Sequence, residues 1–217
     1  HSSYLVQSDG TVLPNQHPAG GFVYGTDVSR DGQIAVGYSL SELGGPSPAY
    51  RYRAGLGYEE FVHPSALNQT RAWGVSADGS IILGDYDDRF PFLLQDNVFT
   101  DLTIDHALYS YARADEMNDD ATTIVGFLTL ANVTPTQIVG GIWLQGRGWL
   151  NAQDHFASLG IFMPEGRTIV RIEEVSSNGQ TFLGTFDNGE SFVVSIPAPS
   201  SLALLGLAAI ASRRRRS

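Results

Sequence analysis

Four segments of the chain repeat one order of apolar and polar positions over 11 residues. Each segment has an apolar residue, a short polar turn, a run of β-branched or apolar residues and a glycine. The segments are residues 28–38, 75–85, 117–127 and 175–185. Three of the four turns contain Asp-Gly or Asn-Gly, whose residues tolerate positive φ angles. Such a turn between short apolar runs predicts a β-hairpin in every repeat.

One glycine occupies the same position of all four segments. These glycines are Gly37, Gly84, Gly126 and Gly184. A glycine inside a strand marks a bulge, a bend or the close approach of another backbone. We therefore expect each hairpin to be irregular at this position.

A second, aromatic-rich strand and a tight turn follow each hairpin. They occupy residues 49–57, 91–99, 141–149 and 191–195, and residues 3–13 fit the same template. Four short strands in about 45 residues is the size of a propeller blade. The pattern therefore predicts an all-β, propeller-like array of four or five four-stranded blades over residues 1–196. A β-sandwich and an irregular solenoid are the alternatives.

The sequence does not begin or end at the boundary of a repeat unit. The chain opens with the last two strands of one unit and closes with the first three strands of another. Either these two pieces pair and close the ring, or the array is truncated and repeats upstream are missing. Pairing would hide sheet edges that an open array must protect in another way. The long third spacing is explained by residues 129–139, which we expect to form a loop.

The repeat resembles the bacterial HAF-type extracellular repeat. The resemblance rests on the Val-Ser hairpin with its Asp-Gly turn, the Val-Gly or Leu-Gly pair and the aromatic strand, and it spans about residues 3–196. It implies an extracellular, propeller-like protein without a defined activity.

The last 21 residues have a different composition. Pro197, Ala198 and Pro199 precede an uncharged, mostly apolar run over residues 200–212, and four arginines follow it. As a helix, the run would be about 20 Å long at ~1.5 Å per residue. Residues upstream and snorkelling arginines would bring it near the length that a bilayer requires. We therefore predict a C-terminal hydrophobic helix, with the arginines on the cytoplasmic side of the membrane.

This tail resembles the PEP-CTERM sorting signal. The resemblance lies in a proline motif, a short apolar segment and a terminal arginine cluster, and the residues that carry it are Pro197, Ala198, Pro199, Arg213, Arg214, Arg215 and Arg216. The usual central glutamate is alanine here. The resemblance implies an exosortase-type processing enzyme as partner, a transient stay in the inner membrane, and delivery to the cell surface or extracellular matrix. Residues 197–217 are then a sorting signal, separate from the repeat domain.

Composition and charge exclude several classes of function. The chain has no cysteine, so it has no disulfide, thiolate metal site or cysteine nucleophile. Without the tail arginines, nine basic residues stand against 23 acidic ones, which gives the body a formal charge of −14. Such a body repels nucleic acid and anionic lipid and tolerates cations or neutral glycans. The histidines do not have the paired spacing of a zinc hydrolase.

Carboxylates recur directly before the first apolar position of the hairpin. They are Asp27, Glu116 and Glu174, with Gly74 in the second repeat. Equivalent positions on the innermost strands of a propeller converge on the central channel. Converging carboxylates can serve as the acid and base of a glycan hydrolase, or can hold a calcium ion. They can also line a wet channel or point outward with no ligand. Aromatic residues at the repeated strand positions are expected to pack between blades; among them, we expect Trp149 to be the most exposed, because it follows a Gly-Arg-Gly turn.

These observations favour a non-enzymatic, exported protein with an adhesive or structural role in the cell envelope or an exopolysaccharide matrix. They predict no cofactor; calcium is the one ion that the carboxylates suggest. A propeller glycan hydrolase and a permanently anchored periplasmic binding propeller are the alternative functions. The sequence does not identify a glycan.

Overall fold

The computed structural model describes Leu5–Val6, Val12–Leu13 and residues 21–41 and 47–196. These residues form seventeen strands and one helix. The predicted sorting signal and C-terminal hydrophobic helix, residues 197–217, lie outside the described residues. No helix of the described part of the chain is long and apolar enough to cross a membrane.

The strands form four successive antiparallel sheets and one short ladder. The ladder pairs β1 (Leu5–Val6) with β2 (Val12–Leu13). The first sheet contains β3 (Gly21–Val28), β4 (Ile34–Ser41), β5 (Ala49–Arg53) and β6 (Gly57–Phe61). The second contains β7 (Thr70–Val75), β8 (Ile81–Tyr86), β9 (Phe90–Gln95) and β10 (Val98–Asp101). The third contains β11 (Tyr109–Met117), β12 (Thr123–Leu130), β13 (Ile138–Leu144) and β14 (Gly148–Asn151). Helix α1 (Ala152–Ser158) leads to the fourth sheet, with β15 (Ile169–Val175), β16 (Thr181–Phe186) and β17 (Ser191–Ser195).

Each sheet is an up-and-down meander in which every strand pairs with the next one along the chain. The fourth sheet has three strands, so β17 lies at the edge where the other three sheets carry a fourth strand. Within the described residues, the β1–β2 ladder pairs with neither β17 nor any other strand. The closure that the phase of the repeat suggests therefore has no strand pairing among these residues. The loop predicted at residues 129–139 is shorter than expected, because β12 extends to Leu130 and β13 begins at Ile138.

The predicted hairpin turns have one hydrogen-bond pattern, which the second sheet shows well. The Ser76 hydroxyl donates to Asp78 Oδ1 (2.7 Å) and accepts from the backbone N–H of Ile81 (2.9 Å). The backbone N–H and the hydroxyl of Ser80 also donate to Asp78. These donors stabilise the charged carboxylate, so the pKa of Asp78 falls to about 2. Gly79 takes the positive φ of 75° that the turn requires.

Backbone hydrogen bonds join the hairpin turns of neighbouring sheets. The N–H of Arg30 donates to the Ala77 carbonyl (3.2 Å), and the N–H of Ala77 donates to the Asp119 carbonyl (3.1 Å). The N–H of Asp119 donates in turn to the Ser177 carbonyl (3.2 Å). The Arg30 side chain also forms an ion pair with Asp119 and donates to the Ser177 hydroxyl. The four turns therefore gather at one end of the array.

The glycine of each repeat faces a β-bulge in the first strand of its sheet, and this irregularity was expected from the sequence. The pairing register shifts between residues 25 and 27, 72 and 74, 114 and 116, and 172 and 174. A β-carbon on the facing glycine would lie 1.9–2.6 Å from a carbonyl oxygen of the bulged strand. These oxygens belong to Tyr24, Arg71, Arg113 and Arg171. Only glycine leaves room for this approach.

Three apolar clusters lie between consecutive sheets. The cluster between the first and second sheets includes Val36 and Phe92, and the next one includes Leu83 and Ile124. The third cluster packs α1 and the third sheet against the fourth around Phe182. This face-to-face packing of successive sheets is the arrangement of propeller blades.

Trp149 corrects one expectation from the sequence. Only 7% of this residue is exposed, and its indole N–H donates to the carbonyl oxygen of Leu102 (3.1 Å). Trp149 lies in the cluster between the second and third sheets, so the prediction that it is exposed was wrong. Its glycine-rich turn is open to solvent, but the neighbouring sheet covers the ring.

Candidate functional site

The first strands of the four sheets lie side by side along the inner side of the array. Strand β3 contacts β7, β7 contacts β11, and β11 contacts β15. The unpaired residues of the four bulges are therefore brought to one region. These residues are Thr26, Trp73, Asp115 and Glu173. All four line a single cavity of about 410 Å³, which we call the channel cavity.

The three carboxylates predicted from the sequence have different surroundings. Glu116 and Glu174 line the channel cavity. Asp27 is engaged with the backbone instead: its Oδ1 accepts the N–H of Val28 (2.7 Å) and its Oδ2 accepts the N–H of Val75 in the second sheet (2.8 Å). Asp27 therefore joins two sheets. Gly74, the exception in the second repeat, lies close to Asp27 Oδ2, because a β-carbon at Gly74 would lie 3.8 Å from this oxygen.

Glu116 is electrostatically coupled to both other carboxylates. Burial raises the pKa of Glu116 above its usual value, while the N–H of Met117, 3.0 Å from Oε1, lowers it. The charges of Asp27 and Glu174 raise the pKa of Glu116 further. Glu116 therefore loses its proton at a higher pH than an exposed glutamate does.

An ion-pair network crosses the channel cavity between the third and fourth sheets. Asp115 accepts hydrogen bonds from Arg113 Nε (2.8 Å) and from Arg171 Nε (2.9 Å). The Asp115 side chain is only 9% exposed. Next to it, the hydroxyl of Thr185 donates to Glu173 Oε1 (2.8 Å). Two arginines therefore face four carboxylates in the wall of this cavity.

Trp73 occupies the side of the channel cavity formed by the second sheet. Its indole N–H donates to Asp85, and the guanidinium groups of Arg71 and Arg113 each lie 5.8 Å from its ring. Burial raises the pKa of Asp85. Asp85 Oδ1 and Arg71 Nε are buried without a hydrogen-bond partner among the described residues. The contacts on the Trp73 ring are cation–π interactions, so the protein's own arginines already contact it.

The sequence analysis did not identify the arginines of this network as candidate site residues, although their position in the repeat distinguishes them. Arg71, Arg113 and Arg171 each stand four residues before the first apolar position of their repeat, where the first repeat has Tyr24. A comparison of this position in the four repeats would have identified the three arginines together.

A metal site has no support from the geometry of the described residues. Within them, no group of three or more His, Asp or Glu side chains is arranged to hold a metal ion. Asp115 and Asp27 are already occupied by arginine and backbone donors.

Residues 195–216 match the PEP-CTERM protein-sorting motif. The motif indicates an exported protein with a C-terminal, membrane-anchoring sorting signal, and it implies processing by an exosortase-type enzyme. It begins at Ser195, the last residue of β17.

Solved structures with a similar fold were also found. One, described as a TolB protein from Agrobacterium tumefaciens, has a TM-score of 0.53 and 14% sequence identity over 84% of this chain. Another, an oligogalacturonate lyase from Vibrio parahaemolyticus, has a TM-score of 0.48 and 11% identity over 69% of this chain. This chain spans 62% of the length of the first and 45% of the second. No curated protein matches the chain. The likeness to the TolB structure supports a propeller-like fold and says nothing about activity.

Proposed function

We propose that the protein is an exported bacterial repeat protein with an adhesive or structural role at the cell surface or in an exopolysaccharide matrix. In this proposal, residues 1–196 are a body of HAF-type repeats and residues 197–217 are a removable sorting signal. The observation that carries the proposal is the sorting motif at residues 195–216, which begins at the last residue of the fourth sheet's last strand. Cleavage near Pro197 would leave β17 and all four sheets intact.

The charge of the body is suited to this location. After loss of the tail, the formal charge changes from −10 to −14. A strongly acidic surface keeps a protein soluble and limits its association with nucleic acid and anionic lipid. The arginines would hold the tail at the inner membrane only until processing, and the released body would then contact extracellular polysaccharide.

The intact mass of the native protein in cell-surface, secreted and inner-membrane fractions tests this proposal. We expect the surface and secreted forms to lack the mass of the residues after the cleavage point near Pro197. A variant with Pro197→Ala and Pro199→Ala serves as the control and should stay uncut in the inner membrane. An uncut wild-type chain found only in the inner membrane would contradict the proposal and favour a permanently anchored periplasmic binding propeller.

A glycan hydrolase is a second candidate, favoured by the raised pKa of Glu116 beside other carboxylates. In such a hydrolase, Glu116 would donate a proton to the leaving oxygen as the glycosidic bond breaks. Glu174 or Asp27 would accept a proton from the water that attacks the anomeric carbon. The backbone hydrogen bonds of Asp27 oppose a catalytic role for that residue. Release of reducing sugar from a glycan panel, abolished by Glu116→Gln, would support the hydrolase. Equal release by wild type and variant would exclude Glu116 as its acid.

A further inference from the structure

A second cavity, distinct from the channel cavity, lies between the second and third sheets. Its volume is about 280 Å³, and we call it the inter-sheet cavity. Its walls come from Tyr86 and from residues 89–91 and 101–104 of the second sheet and its loops, from His106, and from residues 110–112 of β11. This volume is just below the range of about 300–1,000 Å³ that is typical of small-molecule sites.

One wall of the inter-sheet cavity is aromatic. The His63 ring stacks on Tyr86 with centroids 4.0 Å apart, and Tyr86 stacks on Phe90 with centroids 5.0 Å apart. The three rings form one column that ends at Phe90, which is 43% exposed and lines the cavity. An aromatic ring that is held from behind and open in front is a stacking platform for another flat, partly apolar ring.

The rim of the inter-sheet cavity carries polar groups that are available to a ligand. Within the described part of the chain, no side chain forms a hydrogen bond or an ion pair with Arg89 or His106. Asp101 accepts from His63 Nε2 (3.2 Å), and its side chain is 43% exposed. The hydroxyl of Tyr111 donates to the Asp88 carbonyl (3.1 Å), so its oxygen can still accept a hydrogen bond. Donors and acceptors therefore surround the aromatic wall.

We propose that the inter-sheet cavity binds one neutral sugar residue of a polysaccharide. The apolar face of the sugar would lie on Phe90, and its hydroxyl groups would bond to Arg89, Asp101 and His106. The charges favour a neutral ligand, because Arg89 and Asp101 cancel and the body around them is strongly acidic. The sugar would belong to the exopolysaccharide matrix of the proposed function. The inference rests on the proposed function for the origin of the sugar, and on the cavity for its binding.

Calorimetric titration of the full chain, kept in a detergent without a sugar headgroup, tests the site. The probes are cellohexaose, mannohexaose and the acidic hexagalacturonate. We expect a neutral hexasaccharide to bind more tightly than hexagalacturonate, and Phe90→Ala and Arg89→Ala to weaken its binding at least tenfold. Phe162→Ala, at a phenylalanine that is 79% exposed and does not line the cavity, is the matched control and should bind like wild type. Thermal unfolding of each variant shows whether it is folded.

Three results would overturn the inference: no binding of either neutral probe, tighter binding of hexagalacturonate, or unchanged binding by folded Phe90→Ala and Arg89→Ala variants. The mass measurement that tests the proposed function can succeed or fail independently of this binding experiment. An uncut chain that binds a neutral probe would leave the cavity site standing without the matrix role. A processed surface protein that binds neither neutral probe would contradict the cavity site alone.

Discussion

The carbonyl oxygen of Arg113 lies so close to Gly126 that a β-carbon on residue 126 would be 2.0 Å from it. The contact occurs where the β11–β12 pairing shifts register between Ala114 and Glu116. The same bulge turns Asp115 into the channel cavity. The glycine and the position of a cavity-lining side chain are therefore parts of one backbone feature.

Gly126→Ala should destabilise the protein by about 2 kcal/mol or more, because a backbone oxygen cannot move away as a side chain can. For a chain of this size, that corresponds to a melting temperature lower by roughly 4–8 °C. The matched control is Gly25→Ala, whose β-carbon would meet only the Tyr50 hydroxyl at an ordinary 3.5 Å. Equal melting temperatures for the two variants would show that the bulge relaxes without cost.

Asp27→Ala should lower the free energy of unfolding by about 1–3 kcal/mol, because the backbone N–H of Val75 loses its acceptor. Glu174→Ala is the control; Glu174 is exposed and should change stability by less than about 0.5 kcal/mol. Urea unfolding of both variants measures the difference. If the two variants lose the same stability, the hydrogen bond from Val75 to Asp27 does not stabilise the contact between the first and second sheets.

The sequence predicted the features that depend on residues of a single repeat. The Ser76–Asp78 turn and the glycine opposite each bulge depend on residues close together in the chain, so the four-fold pattern shows them. Trp149 could not be placed in this way, because its indole N–H donates to Leu102, which lies just after the last strand of the second sheet. The inter-sheet cavity was missed for the same reason. It joins residues such as Phe90 and Tyr111, whose proximity depends on how two sheets pack.

Asp115→Ala should cost about 1.5–3 kcal/mol of stability, because Asp115 accepts charged hydrogen bonds from the third and fourth sheets. The loss is not larger, because Arg113 and Arg171 are partly exposed and can turn toward water when Asp115 is removed. Glu165→Ala, at an exposed loop position, is the control. Urea midpoints measure both variants, and a midpoint for Asp115→Ala within error of the control would contradict the bridging role.

Two buried histidines, His63 and His155, should make the protein less stable as the pH is lowered from 7.5 to 5.5. Burial lowers the pKa of His63 and of His155 below the usual value near 6.5, although Asp101 partly offsets this effect at His63. Between the folded and unfolded pKa values the unfolded chain binds more protons, so stability is full above pH 6.5 and is lost below it. One such group contributes a slope of at most about 1.4 kcal/mol per pH unit.

The pH slope can be assigned by substitution. Burial raises the pKa of Glu116 and of Asp85, which act in the opposite direction, so the wild-type slope is a sum of both effects. Denaturant unfolding of His63→Gln at pH 7.5, 6.5 and 5.5 should show a smaller slope than wild type, and addition of His155→Gln should reduce it again. His106→Gln, at an exposed position, should keep the wild-type slope. A double variant whose stability still falls as steeply as that of wild type would exclude these histidines, because no proton uptake at either ring would then contribute to unfolding.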